Sequence, residues 1–395
     1  MAIQNTVFTL NKYNDAKTAG SIGITAVSLP ANLWSWGNNQ YGQLGDGTTI
    51  SRSSAVQVGS LTTWLNMATG PSHSVATKTD GTLWSWGNNN VGQLGQGDII
   101  ARSSPVQVGT GTTWLNVTCT SYNATIATKT DGTLWSWGQP AAYAGGASQL
   151  GDGTTVHRSS PVQVGTDTNW GYLSSGGGAH TMAIKTDGTM WGWGVNNYGQ
   201  LGRGNTAYAV TAGQMGVLNT WSQVSSGSMN SSFIKTDGTM WGCGYNNYQG
   251  NVGDYTTINR SSPVQIGLTG VTSIANGSNH TAAVDSSGTL WAWGAGQQGQ
   301  LGNIVGLVGP YWGRSSPGAV AGGAVWSKVY CNSGYTIAIK KDGTLWACGG
   351  GASGNIMSAS GYPIVQISSG TYWKKISASG HCLGAYPTRF FQTGI

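Results

Sequence analysis

Leu33-Trp34-Ser35-Trp36-Gly37 decides the fold. The motif returns with its first tryptophan at Trp84, Trp135, Trp191, Trp241, Trp291 and Trp346, at spacings of 50, 51, 56, 50, 50 and 55 residues. In the fifth and seventh copies Cys243 and Cys348 replace the second tryptophan. Side chains alternate across a strand, so the two tryptophans of each copy share one face. The residue between them is always small: Ser35, Ser85, Ser136, Gly192, Gly242, Ala292 or Ala347. A tryptophan buries roughly 150–250 Å², so this pattern predicts that the tryptophans of one module pack on the small column of the next.

Working outward, a turn precedes the motif: Asp80-Gly81, Asp131-Gly132, Asp187-Gly188, Asp237-Gly238 and Asp342-Gly343, with Ser287-Gly288 as a variant. Asp-Gly between alternating segments is a hairpin signal, because a tight turn needs positive φ. A further alternating segment opens at Trp64, Trp114, Trp170, Trp221, Val271, Trp326 or Trp373. Downstream lies a glycine-rich loop of the type Gly42-Gln43-Leu44-Gly45, then Arg-Ser-Ser-Pro and a short apolar strand, as at Arg102-Ser103-Ser104-Pro105-Val106. Each module therefore offers about four short strands. A lone sheet of that kind leaves its faces and edges bare, whereas packing such sheets around a ring buries the faces. The predicted fold is all-β, a seven-bladed β-propeller of four-stranded blades. The first motif lacks a full strand pair before it, and the segment from Trp373 onward lacks a motif after it. Segments from both termini thus share one blade and close the ring. Residues 24–29 and Cys382-Leu383-Gly384-Ala385 compete for one slot in that blade. The chain divides into an N-terminal arm at 1–30, the propeller at 31–387 and a tail at 388–395.

With its Gly-x-x-His, Asp-Gly-Thr-Leu-Trp-x-Trp-Gly and Asn-x-x-Gly-Gln-Leu-Gly elements, the repeat resembles that of the regulator of chromosome condensation family over residues 31–386. The resemblance implies seven blades and repeats of this length. It also brings nuclear nucleotide exchange as a conceivable role, which the absence of a basic targeting run opposes. Modules this alike, low in charge and rich in Gly, Ser, Thr and Asn, resemble bacterial and bacteriophage members.

Among the 395 residues 65 are Gly and 19 Trp, yet only 8% are charged, which excludes a solvated disordered chain. The net charge of +6 comes without a run of like charges, so nucleic acid is not expected as a partner. No apolar stretch approaches membrane-spanning length, and no membrane insertion is expected. The five cysteines, Cys119, Cys243, Cys331, Cys348 and Cys382, show no metal or disulfide spacing, and are read as reduced and buried. Residues 1–6 carry no secretory signal.

Candidate chemistry is sparse. His73, His180, His280 and His381 share one column, read as a structural hydrogen bond within each blade rather than a metal ring. Arg52, Arg102, Arg158, Arg260 and Arg314 sit in equivalent loops and are read as bracing them. The glycine-rich loops lack the Lys-Ser/Thr of a phosphate cradle. No catalytic or metal residues and no cofactor are assigned, and an enzyme is not expected. Trp34, Trp84, Trp135, Trp191, Trp241, Trp291 and Trp346 are assigned structural roles. Irregular loops usually carry recognition, so the binding residues expected are Tyr143, Tyr208, Tyr311 and Trp312.

The functional expectation is a non-enzymatic interaction scaffold: a bacteriophage virion component, in capsid decoration, fibre or tail, assembled in the host cytoplasm. It would join other virion proteins through arm 1–30 and bind a host-surface glycan or protein. The alternative is a soluble, cytoplasmic bacterial binding or inhibitor propeller, and a nucleotide-exchange-type regulator is the third reading.

Overall fold

The computed structural model describes residues 31–140, 148–247, 249–302, 313–320, 323–350, 364–368, 373, 375–379 and 381–387. These form seven four-stranded antiparallel sheets. Blade 2 runs, from inside to outside, Trp64–Thr69, His73–Lys78, Leu83–Gly87 and Arg102–Gln107. Blades 3 to 7 repeat this order, with inner strands Trp114–Cys119, Trp170–Ser175, Trp221–Ser226, Val271–Asn276 and Trp326–Cys331. Blade 1 is composite. Lys375–Ala378 and His381–Pro387 supply its inner pair, and Ala31–Gly37 and Arg52–Gln57 its outer pair. Trp36 pairs with Cys382 and Leu33 with Ala385, so the C-terminal segment takes the contested slot. Residues 24–29, with the rest of 1–30 and 388–395, lie outside the described residues.

Neighbouring blades are latched at both ends of their strands. At the hairpin end, six backbone N–H groups at or just before the start of an inner strand, those of Trp114, Trp170, Trp221, Val271, Trp326 and Trp373, donate to the turn glycine of the blade before. Trp114 bonds to Gly81 at 2.9 Å and Trp326 to Gly288 at 2.8 Å. At the other end, the glycine-rich loop of one blade reaches over the next. The Gln43 carbonyl accepts from the Ser74 hydroxyl at 2.8 Å and the Trp86 indole at 2.9 Å. The Gln93 carbonyl accepts from Thr125 at 2.9 Å and Trp137 at 3.0 Å, and the Asn251 carbonyl from Thr281 at 3.0 Å and Trp293 at 3.1 Å. Where cysteine replaces tryptophan, Cys243 Sγ lies 3.5 Å from the Gln200 carbonyl and Cys348 Sγ 3.6 Å from that of Gln300. The thiol takes the place of the indole as a weaker donor.

This geometry corrects the expected tryptophan packing. The fully buried indoles are the second ones, Trp86, Trp137, Trp193 and Trp293. They pack on the loop glycines of the preceding blade, not on the small column. A Cβ on Gly95 would stand 2.7 Å from Trp137 Nε1, and Gly95 also has φ +71°. The small residue serves its own blade: Ser35 donates to Leu44 O at 2.8 Å and Ser85 to Leu94 O at 2.7 Å.

The histidine column is also corrected, because its bonds run between blades. His73 Nε2 meets Thr125 Oγ1 at 3.1 Å, His180 meets Ser231 at 3.0 Å and His280 meets Thr336 at 2.9 Å. His381 meets Ser74 across the closing seam, and Asn230 does the same work in blade 5 toward Thr281. Each of these hydroxyls gives its proton to the loop carbonyl, so the ring must donate from Nε2. All four rings are fully buried and their Nδ1 atoms have no partner. Burial pushes the pKa of His73 and His381 down to about 3, with the neighbouring His73 adding to the effect at His381, and that of His180 and His280 down to about 4.

Two predictions follow from this architecture. Deleting residues 1–30 should leave the melting temperature within a few degrees of the full chain, because the closing strand comes from His381–Pro387. Calorimetry showing loss of the cooperative transition would place an essential strand in 1–30. The second concerns pH. An unfolded histidine titrates near 6.5 and these near 3–4, so between those values the folded state holds fewer protons. Stability should therefore fall as pH drops below about 6.5, more gently once pH passes about 4, where His180 and His280 protonate in the folded state, and the histidine contribution should level off below about 3. The loss approaches roughly 1.4 kcal/mol per pH unit for each histidine. Urea titrations should show this slope in the wild type. The slope should be largely gone between pH 6.5 and 4.5 in H73N/H180N/H280N/H381N, which copies the Asn230 solution; an unchanged slope would refute the assignment.

Candidate functional site

The repeated cations are spent within the scaffold. Arg52 pairs with Asp46 at 2.8 Å, Arg102 with Asp98 at 2.8 Å, Arg158 with Asp152 at 2.9 Å and Arg260 with Asp254 at 2.6 Å. Each arginine thus braces its own loop. The lysines lie over the first tryptophan of each motif: Lys129 is 3.8 Å from the Trp135 ring centroid, Lys235 3.9 Å from Trp241 and Lys340 3.4 Å from Trp346. Those tryptophans are half-buried, and an Asp-Gly-Thr turn holds their edges. Trp84 Nε1 donates to Thr82 Oγ1 at 2.9 Å, and Thr82 donates in turn to Asp80 at 2.6 Å. The same hydroxyl and amide hold the carboxyl of the equivalent Asp131 below its usual range. In blade 6, Val271 and Asp285 stand where other blades have Trp and Lys, and Trp291 donates directly to Asp285 at 2.8 Å. Trp34, in composite blade 1, packs beside the cluster containing Trp36 and Trp373.

No group of three or more His, Cys, Asp or Glu able to hold a metal occurs among the described residues. No helix among them is long and apolar enough to cross a membrane. Burial pushes the Cys119, Cys348 and Cys382 thiols up to about 12, and Cys243 higher still, away from thiolate chemistry.

Of the four loop aromatics expected to bind, Tyr143, Tyr311 and Trp312 lie outside the described residues. Tyr208 is half-buried and packs with Tyr122 against Ala179 and Val195, more enclosed than the sequence implies. Sequence reasoning missed a different column. Two residues before each bracing arginine stands an aliphatic side chain: Ile50, Ile100, Val156 or Ile258, each more than half exposed. Its backbone is fixed, since Asn39 Nδ2 donates to Ile50 O at 3.1 Å and Asn246 Nδ2 to Ile258 O at 3.1 Å. The loop is therefore built to hold that side chain outward. Ile99 at 65% and Tyr255 at 70% exposure extend the same face. The signal was present in the fixed offset from arginine. Trp312 occupies the same offset from Arg314.

Models of the regulator of chromosome condensation (RCC1) repeat match residues 31–77, 80–125 and 237–284, and a second such model matches 66–93, 174–200 and 271–300. The ultraviolet-B receptor UVR8 of Arabidopsis thaliana is 31% identical over 186 residues, 46% of this chain and 41% of that protein. The RCC2 homolog of Danio rerio is 34% identical over 93 residues, 23% of this chain and 17% of the other. The chain thus spans less than half the length of these curated relatives. Yeast RCC1 (Prp20), solved bound to Kap60, superposes with a TM-score of 0.78 at 17% identity, covering 99% of this chain and 98% of that one. Human WBSCR16 gives 0.77 at 17% identity, over 91% and 100%. The chain is a seven-bladed propeller in which regulator of chromosome condensation repeats are matched over residues 31–125, 174–200 and 237–300.

Proposed function

We propose that this propeller is a non-enzymatic scaffold that binds a protein partner on the face carrying the glycine-rich loops. The supporting observation is the column of Ile50, Ile100, Val156 and Ile258, exposed at equivalent positions of four blades, with the backbone hydrogen-bonded at Ile50, Ile100 and Ile258. Single exposed apolar residues are ordinary on any surface. An apolar side chain repeated around one face of a rigid ring, rimmed by ion pairs, has the composition of a contact surface. The repeat's arginines, lysines and histidines are engaged in the scaffold, which leaves shape and apolar contact as the means of recognition. Yeast Prp20, which shares the fold, was solved bound to Kap60 and binds Gsp1p and histones, all proteins, and a protein partner is the reading carried to this chain.

A bacteriophage virion component anchored by residues 1–30 is the more specific form of this proposal. It rests on composition and on the arm, and the relatives' names do not bear on it. Immunogold microscopy of lysates of the source, with label recurring at a fixed position on particles, would support it; label on soluble material alone would refute it.

Face-specific capture tests the main reading. The triple variant I50D/I100D/I258D should lose stoichiometric co-purification of a partner from lysate of the source. Val217→Asp should retain it, because Val217 is 91% exposed at the opposite end of the outer strands. Equal capture by both variants would overturn the assignment of the face.

A further inference from the structure

Blade 4 departs from the repeat at three positions that meet in space. Elsewhere an aspartate following a loop glycine, Asp46, Asp152 or Asp254, pairs with the arginine that opens the outer strand. In blade 4 the loop reads Gly202-Arg203-Gly204, and the arginine that opens the outer strand is absent. Ala209 stands opposite Gly194, where Arg52, Arg158 and Arg260 stand opposite Gly37, Gly138 and Gly244. The third departure is Gly213. It faces Gly192, the small residue of the motif, where Val56, Val106, Val162 and Val264 face theirs. The guanidinium fills the room so made: a Cβ on Gly213 would stand 2.7 Å from Arg203 Cζ. Arg203 Nη2 donates to Gly213 O at 2.9 Å and to Gly192 O. An arginine has replaced the aspartate, the arginine it would repel is gone, and so is the side chain it would strike.

This guanidinium has no carboxylate. All twelve acidic residues of the chain are aspartates, all but Asp15 are among the described residues, and none of these pairs with Arg203. Its Nε is buried without a partner, and its bonds to protein run through Nη2, which leaves Nη1 unused. Arg203 lies in the wall of a groove of about 300 Å³ between blades 4 and 5. Met215 and Leu218 line it from blade 4, and Trp221, Trp241 and Pro263 from blade 5. Trp221 is only 3% exposed, and its Nε1 is a second donor without an acceptor. In blade 2 the corresponding Trp64 Nε1 donates to Leu61 O at 3.0 Å. Lys235 adds positive charge, 5.3 Å from the Trp221 ring centroid and 3.9 Å from that of Trp241. The groove between blades 2 and 3, about 340 Å³, is the counterpart without the loop cation. There Gln96 replaces Arg203 and spends its amide on Ser85 Oγ at 3.1 Å and Val106 O at 3.2 Å.

A half-buried guanidinium without a counter-charge is complemented by a carboxylate, through a charge-assisted hydrogen bond. Apolar walls beside it favour a ligand that carries hydrocarbon next to that charge. We propose that the groove between blades 4 and 5 binds a small carboxylate with an apolar body, its charge on Arg203 and its hydrocarbon against Met215, Leu218 and Pro263. The Trp221 indole supplies the second donor. The site uses none of the isoleucines of the loop face, so either site can fail without the other. The carboxylate is that of a free acid or of the last residue of a peptide.

The probe is 3-phenylpropionate, added to the full chain at matched ionic strength, with 3-phenylpropanamide as its uncharged control. Calorimetry should give saturable binding at one site per chain. The amide should bind roughly tenfold or more weakly, the scale of a charge-assisted hydrogen bond. In proton–nitrogen correlation spectra the Trp221 indole signal, assigned by its loss in Trp221→Phe, should shift with the same affinity. Arg203→Gln copies Gln96, so it should fold, with circular dichroism as the check, and bind the acid as weakly as the wild type binds the amide. Leu218→Asp, at a position 46% exposed, sets a carboxylate in the wall and should weaken binding while leaving the melting temperature within a few degrees of the wild type. Displacement of the probe by a peptide ending in phenylalanine with a free carboxylate would assign the site to a chain terminus; probe binding without displacement would assign it to a free acid. Absence of saturable binding to the wild type, equal affinity for acid and amide, or equal affinity in wild type and Arg203→Gln would overturn the proposal.

Discussion

A single peptide carbonyl, that of Gln43 and its counterparts Gln93, Gln149, Gln200, Asn251 and Gln300, joins one blade to the next at six seams among the described residues. It carries two donors from the neighbouring blade, a hydroxyl and an indole or thiol, in a site from which water is excluded. A buried carbonyl left bare would cost of the order of 1–3 kcal/mol, so the requirement recurs from module to module. Much of the repeat follows from it. The loop must come close enough for its glycine to lie on the indole. The serine or threonine must stand beside that indole, and at four seams the histidine of the preceding blade donates to the same hydroxyl. The recurrence of these residue types around one chain is the imprint of one seam made repeatedly.

The architecture was legible because its signals are local and repeated. The Asp-Gly turns, the period-two alternation and the seven tryptophan motifs specify four strands and their order. Splitting of the composite blade between the termini could be read from what each end lacked. Which segment closes the ring could not, because 24–29 and 382–385 have the same alternating character. Pairing of Cys382 with Trp36 resolved it. Contacts between modules were the weak point. Periodicity places Trp84 and Trp86 on one face but does not say which packs on the neighbour. Nor does it show whether His73 bonds within its blade or beyond it. Those answers depend on how far a loop reaches over the next sheet, a non-local property.

The candidate site was less legible for a related reason. Attention to irregular loops led to aromatics such as Tyr208, which the fold tucks against Ala179 and Val195. The more open surface lies inside the regular repeat, two residues before the bracing arginines. Regularity is what makes it useful, because a ring converts one exposed side chain per module into a patterned face.

The seam can be tested with two glycines of similar backbone conformation. Gly95 has φ +71° and Gly109 φ +58°, so alanine pays a comparable backbone penalty of about 1–2 kcal/mol at either position. Only at Gly95 would the added methyl meet the Trp137 indole, at 2.7 Å, while at Gly109 nothing lies within 4 Å. The measurement is the urea midpoint of Gly95→Ala against Gly109→Ala. If loop-on-indole packing joins the blades, Gly95→Ala should be the less stable by at least about 2 kcal/mol, the scale of overpacking in a tight core. Equal midpoints would contradict the account, and would mean that the blades are held together elsewhere.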